Sequence, residues 1–377
     1  MKIRDVIYSA NTGLDAIKRA PVLEYPTDLR CIRIQDISQG KPFLEWAYTK
    51  TTTNDYKKFK LCKNDVLVAR TGATVGVSYL VKEDIESVFN NGSIRLRVNE
   101  NVNAKFLYYL INTNEFLTFI DNVSCVATQP NLRIENLLRF DFPDYSVEKQ
   151  TEIANVLSTY DDLIENNNKR IKLLEQMAEN LYKEWFVRFR FPNHENTEFE
   201  NGIPKGWEYV KLGEYANIST GKCNREDAEE DGIYPLFDRS QEIKKSSVWL
   251  KDCEAIIVPG EGTSFIPRYY KGKFNLHQRC YCVEPKISKT GKFIFYTLML
   301  NRIYFLYVAT GATVPSLRQN NFTNMKIIMP KMELVNKYDD IVSSFIDEIN
   351  SLKERNENLI NQRDLLLPRL MSGKLEV

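Results

Sequence analysis

From Ile153 to Trp185 the chain reads IANVLSTYDDLIENNNKRIKLLEQMAENLYKEW, and ten of these residues decide the architecture. Ile153, Leu157, Tyr160, Ile164, Asn167, Ile171, Leu174, Ala178, Leu181 and Trp185 follow one another in unbroken steps of four and three, and Asn167 is their one polar member. A hydrophobic period of 3.5 residues belongs to a helix wound on another helix rather than to one resting on a globular core. A second series with the same steps runs Tyr338, Val342, Phe345, Ile349, Leu352, Asn356, Leu359, Arg363, Leu366 and Leu370. Laid antiparallel with their ends opposed, the two series pair residues whose numbers sum to 523, so Asn167 meets Asn356, Ala178 meets Phe345 and Tyr160 meets Arg363. A parallel register sets Asn167 on Leu352 and Asn356 on Ile171, leaving two amides unpaired in an apolar seam. The spacing therefore predicts an antiparallel coiled coil. Its 33-residue span gives a rod of roughly 50 Å.

Outward from the helices, the chain repeats itself. Ala127-Thr128-Gln129-Pro130-Asn131-Leu132-Arg133 matches Ala312-Thr313-Val314-Pro315-Ser316-Leu317-Arg318 at an offset of 185, and at that offset Phe89-Asn90 falls on Phe274-Asn275 and Val98 on Val283. Upstream the offset grows: Thr12-Gly13 parallels Thr220-Gly221, and Val68-Ala69-Arg70-Thr71-Gly72 parallels Val258-Pro259-Gly260-Glu261-Gly262. The recurrence of Thr71 to Val75 as Thr310 to Val314, at an offset of 239, fits nothing else and is coincidence. About 190 residues of one design are used twice. Short apolar runs such as Val66 to Ala69 and Ala255 to Val258, with one helix-like segment per half (104–119 and 292–306), indicate mixed α/β domains. The expected boundaries are 1–146, 147–190, a Pro/Gly/Asn-rich linker at 191–206, 207–330 and 331–377.

Composition narrows the class. The 377 residues are 43% hydrophobic, ample for folded cores, and no run nears the 18 apolar residues of a membrane span. The start, Met1-Lys2-Ile3-Arg4-Asp5, lacks the apolar stretch of a signal peptide, and seven scattered cysteines fit a reducing compartment, so a cytoplasmic protein is expected. Two histidines leave little room for histidine-based catalysis. The net charge of +1 hides an alternation: +2 over 1–146, −4 over 147–200, +5 over 201–330 and −2 over 331–377. Two mildly basic blocks suit a polyanion only weakly.

Three motifs carry a resemblance: Gly202-Ile203-Pro204-Lys205-Gly206-Trp207 followed by Lys211-Leu212-Gly213; Tyr182-Lys183-Glu184-Trp185-Phe186-Val187-Arg188-Phe189; and Leu366-Leu367-Pro368-Arg369-Leu370-Met371-Ser372-Gly373-Lys374-Leu375. In this order, over the whole chain, they resemble the specificity subunit of type I restriction–modification enzymes. The first half departs from the pattern, since Met1-Lys2-Ile3-Arg4 lacks the Pro-x-Gly-Trp lead-in. The resemblance implies an α+β chain with two α/β target-recognition domains separated by two long helices in an antiparallel coiled coil. It implies a non-catalytic chain that reads double-stranded DNA and docks two methyltransferase subunits, with two restriction/translocase subunits joining them. No cofactor is expected on this chain; S-adenosylmethionine, ATP and Mg belong to the partners. Two similar but non-identical modules on a rod suit a bipartite, asymmetric target with a fixed gap. The alternative within restriction systems is a specificity chain serving a fused methylase–nuclease.

No Asn/Asp-Pro-Pro-Tyr motif, P-loop or Gly-x-Gly nucleotide loop is present in the sequence. A nuclease of the Asp…Glu-x-Lys kind has one possible set, Asp231 with Glu242 and Lys244, and a zinc site has His277, Cys280 and Cys282, which strand alternation explains more simply. The candidate DNA contacts are hydroxyl- and glycine-rich loops: Arg70, Thr71, Gly72 and Thr74 in the first domain, and Gly262, Thr263, Ser264 and Arg268 in the second. Asn91, Gln278 and Arg279 are further candidates. The repeated segments add Gln129, Asn131 and Arg133, and Ser316 and Arg318; here Asn131 and Ser316 either cap the helices that follow or lie at phosphate-binding helix ends.

Overall fold

A computed structural model of the chain describes residues 1–124, 131–311 and 313–376, leaving Gln129 of the candidate contacts outside the described residues. The chain divides into two compact units. One comprises 1–167 and 354–377, the other 168–353, so each unit takes one end of each long helix. The helices span Val147–Tyr182, continued by a wider turn over Lys183–Val187, and Met332–Met371.

In the first unit a four-stranded sheet has the order β1 (Ile7–Thr12), β7 (Ser93–Val98), β4 (Val66–Ala69), β5 (Ser78–Leu80), all antiparallel neighbours. A smaller sheet orders β3 (Ala47–Tyr48), β2 (Arg30–Ile32) and β6 (Ser87–Phe89), with β2 and β6 parallel. The apolar run of β4 is buried on both faces, as an interior strand must be. Val66 and Val68 join Ile94 and Leu96 beneath the helix Ala104–Leu110 and the ends of the long helices, through Ile153, Leu157 and Leu370. Leu67 faces a second core around Trp46, Phe89 and Leu14.

The second unit rebuilds this plan in one six-stranded sheet of order β11 (Ala216–Thr220), β16 (Cys280–Pro285), β14 (Lys251–Pro259), β15 (Arg268–Leu276), β12 (Tyr234–Phe237), β13 (Ile243–Ser246). Here one long strand, β15, takes both roles that β5 and β6 share in the first unit. Arg268 to Phe274 run antiparallel to β14, and Asn275 and Leu276 run parallel to β12. Ile256, Val258, Tyr281 and Val283 pack against Phe293, Trp185 and Tyr338, whereas Ala255, Ile257, Cys280 and Cys282 face Phe237 and Phe274. Strands β10 (Glu208–Lys211) and β17 (Lys326–Met329) pair to close the domain. The stretch 191–206, read as a linker, is folded: β8 (Phe199–Glu200) and β9 (Ile203–Pro204) form a hairpin, Ile203 is buried in the core, and Trp207 sits among Phe186, Phe189 and Phe191. Its aromatic residues outweigh its Pro and Gly content.

Strand pairing corrects part of the repeat alignment. Phe89 pairs with Ile32 as Leu276 pairs with Phe237, and Leu96 pairs with Val66 as Val283 pairs with Ile256. The structural offset there is thus 187, not 185: Phe89-Asn90 corresponds to Leu276-His277 rather than Phe274-Asn275, and Val283 to Leu96 rather than Val98. The Thr12-Gly13 and Thr220-Gly221 match has a steric cause. A Cβ on Gly13 would lie 2.2 Å from the Phe89 carbonyl oxygen, and one on Gly221 1.9 Å from that of Leu276.

The long helices pair antiparallel in both units. In the first, Asn167 Nδ2 donates to Asn356 Oδ1 at 2.9 Å, both side chains buried. Two turns away Arg363 Nη1 donates to Asp161 Oδ1 at 2.6 Å, one residue along from the expected Tyr160, because a carboxylate neutralises a half-buried guanidinium and a phenol does not. In the second, Ile171 and Leu174 cluster with Ile349 and Leu352, and Ala178 shares a core with Phe345 and accepts a hydrogen bond from Tyr338 Oη at 3.3 Å. No seam residue of either series is exposed. No helix among the described residues is long and apolar enough to cross a membrane.

Asn167→Leu or Asn356→Leu alone strands a buried amide and costs about 1–3 kcal/mol, whereas the double variant recovers most of that loss. Chemical denaturation in a double-mutant cycle measures it, and additive losses would refute the facing pair. Gly13→Ala and Gly221→Ala each destabilise the protein by about 1–3 kcal/mol through overpacking, read as a lowered denaturation midpoint.

Candidate nucleic-acid interface

In the first unit three backbone contacts gather polar residues from distant parts of the chain. The Arg70 amide donates to the Gly92 carbonyl at 2.9 Å, the Leu132 amide donates to the Arg70 carbonyl at 2.7 Å, and Thr71 bridges Asn131. Arg70 Nη2 then reaches Asn131 Oδ1 at 3.1 Å, while its Nε is buried without a partner. Thr71, Gly72 and Thr74 lie in the adjoining turn, where Gly72 has φ +78° with open space around its Cα. Asn91, Asn131 and Arg133 are exposed beside them. Asn131 is not a helix cap: the helix Ile134–Leu137 starts after Arg133 and has no side-chain cap, and Asn131 is held by the bridge and by Arg70 instead.

The second unit repeats this framework with the side chains exchanged. The Gly260 amide donates to the Arg279 carbonyl at 2.8 Å, the Leu317 amide donates to the Gly260 carbonyl at 2.8 Å, and Glu261 bridges Ser316. Arg70 and Gly92 thus correspond to Gly260 and Arg279, so each unit has one arginine and one glycine at this crossing, in opposite order. Neither glycine can be replaced freely. A Cβ on Gly92 would lie 2.5 Å from the Ile34 side chain, and one on Gly260 2.7 Å from the Arg279 carbonyl oxygen. Glu261 stands where the first unit has Thr71. Its Oε2 accepts from Arg239 Nη1 at 2.7 Å and its Oε1 accepts from Arg279 Nη1.

These groups border a cleft of about 330 Å³ lined by Arg225, Asp238, Arg239, Glu261, Gly262 and His277, among others. Burial alone would raise the Asp238 carboxyl, but hydrogen bonds from Ser240 and Lys244 overcome this and hold it at about 2. Both its oxygens are therefore engaged: Oδ1 by the Ser240 amide and hydroxyl at 2.7 and 2.6 Å, Oδ2 by Lys244 at 3.0 Å. His277 is buried, and its Nδ1 accepts the Arg279 amide at 3.0 Å, which leaves the proton of the neutral ring on Nε2. Burial, then nearby Arg239, lowers its pKa and keeps the ring neutral.

Other candidates take different places. Arg268 lies inside the fold, donating to the carbonyls of Asp238 and Ser240 at 2.6 and 2.8 Å with its guanidinium over the Phe237 ring, so it supports the turn that carries Arg239. Gly262 (φ +123°), Thr263 and Ser264 form the open lip of the loop. Gln278 is exposed and donates to Asn224 at 2.6 Å. Ser316 does not cap a helix; the helix Gln319–Thr323 begins after Arg318, whose own amide is accepted by Asn321 Oδ1 at 2.6 Å. Both short helices fall one turn past the hydroxyl or amide side chain, because the bridges claim those residues first.

The proposed nuclease and zinc sets do not assemble. Lys244 is paired with Asp238, and Asp231 and Glu242 are exposed. Cys282 lies with Cys253 and Glu284, their ligand atoms within 4.8 Å of one another, while His277 Nδ1 is occupied by the Arg279 amide. Glu284 is already neutralised by Lys251 at 2.8 Å, and the two thiols interact with each other, Cys253 shifted down and Cys282 up. This is a thiol pair beside an ion pair. Sequence reading misses Arg239 and Asp238, although Phe237-Asp238-Arg239-Ser240, a charged turn ending a buried strand, is an available signal.

Comparison with known proteins agrees with this organisation. The family model described as type I restriction modification DNA specificity domain matches residues 1–176 and 204–362. The type I restriction enzyme MjaIX specificity subunit of Methanocaldococcus jannaschii is 28% identical over 333 residues, 81% of this chain and 76% of that one. The putative MjaX specificity subunit of the same organism is 22% identical over 100% of this chain and 93% of that one. In fold, the crystal structure of the type I restriction–modification S subunit from M. genitalium superposes with a TM-score of 0.59 at 18% identity, covering 98% of this chain and 95% of that one. With the family model matched in both halves, the chain belongs to the type I restriction modification DNA specificity family.

Proposed function

We propose that this chain is the non-catalytic DNA-sequence reader of a type I restriction–modification enzyme. The observation that carries the reading is the duplicated loop crossing. One backbone framework, set by the bridges Thr71–Asn131 and Glu261–Ser316, presents Arg70 with Asn131 in one unit and Arg239, Glu261 and Arg279 in the other. A framework that recurs while its exposed polar groups differ is what two readers of two different short sequences require, since base edges are discriminated by the donors and acceptors set against them. The target is accordingly bipartite and asymmetric, with a gap fixed by the helices the two units share. Asn91, Arg133, Thr263, Ser264 and Arg318, exposed around the same loops, suit contacts to phosphate that position each reader.

On this reading the remaining chemistry belongs to partners. Two methyltransferase subunits carrying S-adenosylmethionine dock on the long helices, whose outer positions leave Leu163, Leu173, Met177 and Leu365 exposed. Restriction/translocase subunits, with ATP and Mg, join through them, and the assembly works in the cytoplasm.

Exchanging residues 207–330 for the corresponding domain of a relative should change one half of the methylated target and leave the other half and the gap intact. Sequencing that maps modified bases measures this directly, and a change in both halves or in neither contradicts modular reading.

A further inference from the structure

Resting on the reading above, we infer that the Arg239–Glu261–Arg279 clamp of the second unit reads guanine in its half-site. Each guanidinium gives only Nη1 to Glu261, one to each carboxylate oxygen, and makes no other hydrogen bond among the described residues. The Nε and Nη2 of both guanidinium groups, a parallel pair of donors, are left for a ligand. The carboxylate holds the two groups in place, which lowers the conformational cost of using them.

The chemistry of the cleft selects among bases. Asp238 has both oxygens engaged by Ser240 and Lys244, and Glu261 by the two arginines. His277, with Nδ1 accepting a backbone amide, offers a donor at Nε2, and Arg225 adds another cation at the rim. The lining thus supplies donors and few free acceptors. In the major groove guanine alone presents two adjacent acceptors, N7 and O6; adenine and cytosine each carry an amino donor that would meet these groups unfavourably, and thymine offers one acceptor beside a methyl. A phosphate is a poorer fit, because Glu261 already neutralises one of the two arginines and repels a further anion. The first unit has Thr71 in place of Glu261 and a single arginine shared with Asn131, so the clamp is a property of the second unit alone.

The test uses the full chain assembled with its methyltransferase partners and the duplex carrying the motif that the wild-type complex methylates. The half that follows residues 207–330 must contain guanine. Arg239→Ala and Arg279→Ala should each relax discrimination at one guanine position by about tenfold to a hundredfold while methylation at the other half-site stays strict. Replacing that guanine by 7-deazaguanine, which lacks N7, should weaken wild-type binding and have no added effect on the matching arginine variant. A half-site without guanine, a uniform loss of affinity with base preference intact, or an equal 7-deazaguanine effect in wild type and both variants overturns the clamp. None of those results touches the broader reading, which fails if the wild-type complex methylates no two-part motif.

Discussion

Asn167 and Asn356, buried and hydrogen-bonded to each other, set the register of two helices whose ends each complete a hydrophobic core. The first core needs Ile153 and Leu157 from the start of one helix and Leu367 and Leu370 from the end of the other. The second needs Ala178, Tyr182 and Trp185 from the end of the first and Val335, Tyr338 and Val342 from the start of the second. A slip of one turn would misplace all of these residues together and set each asparagine against an apolar side chain. One hydrogen bond of 2.9 Å, modest in energy, therefore selects a single arrangement among several that the apolar seam alone would tolerate.

On that scaffold the chain separates what must be constant from what can vary. Gly13 and Gly221, pressed onto the carbonyls of the neighbouring strands, serve the framework and occur in both units. The crossing between the end of β4 or β14 and the loop that leads into β7 or β16 serves the surface, and there arginine and glycine trade places: Arg70 with Gly92, Gly260 with Arg279. Only one of the two adjacent positions has room for a long side chain in each unit, so the arginine arrives from a different strand. A small sequence change thus re-aims a guanidinium without altering the backbone bonds beneath it.

Much of this was legible in the sequence, and what was not has physical causes. The helix seam was readable because its 3.5-residue period is local and long, and the register because two lone asparagines have one satisfactory pairing. The repeat was visible, but letter identity misaligned β7 with β16 by two residues; only cross-strand pairing, a non-local property, identifies Leu276-His277 as the counterpart of Phe89-Asn90. Of the two readings open for Asn131 and Ser316, capping does not hold, because tertiary bridges outcompete it. Arg268 looks like a surface donor in the sequence, which does not reveal that two carbonyls and a phenylalanine ring enclose it. Arg239 is hidden for the complementary reason: its partner Glu261, and the Arg279 that shares that carboxylate, come from loops 22 and 40 residues away.

Mapping methylated bases across the genome of the source strain, with the gene intact and with it deleted, asks whether this chain directs modification to a two-part DNA sequence. On deletion, methylation should disappear at one gapped, asymmetric motif and nowhere else. A methylome unchanged by the deletion, in a strain where the chain and its methyltransferase partner are both expressed, would contradict it.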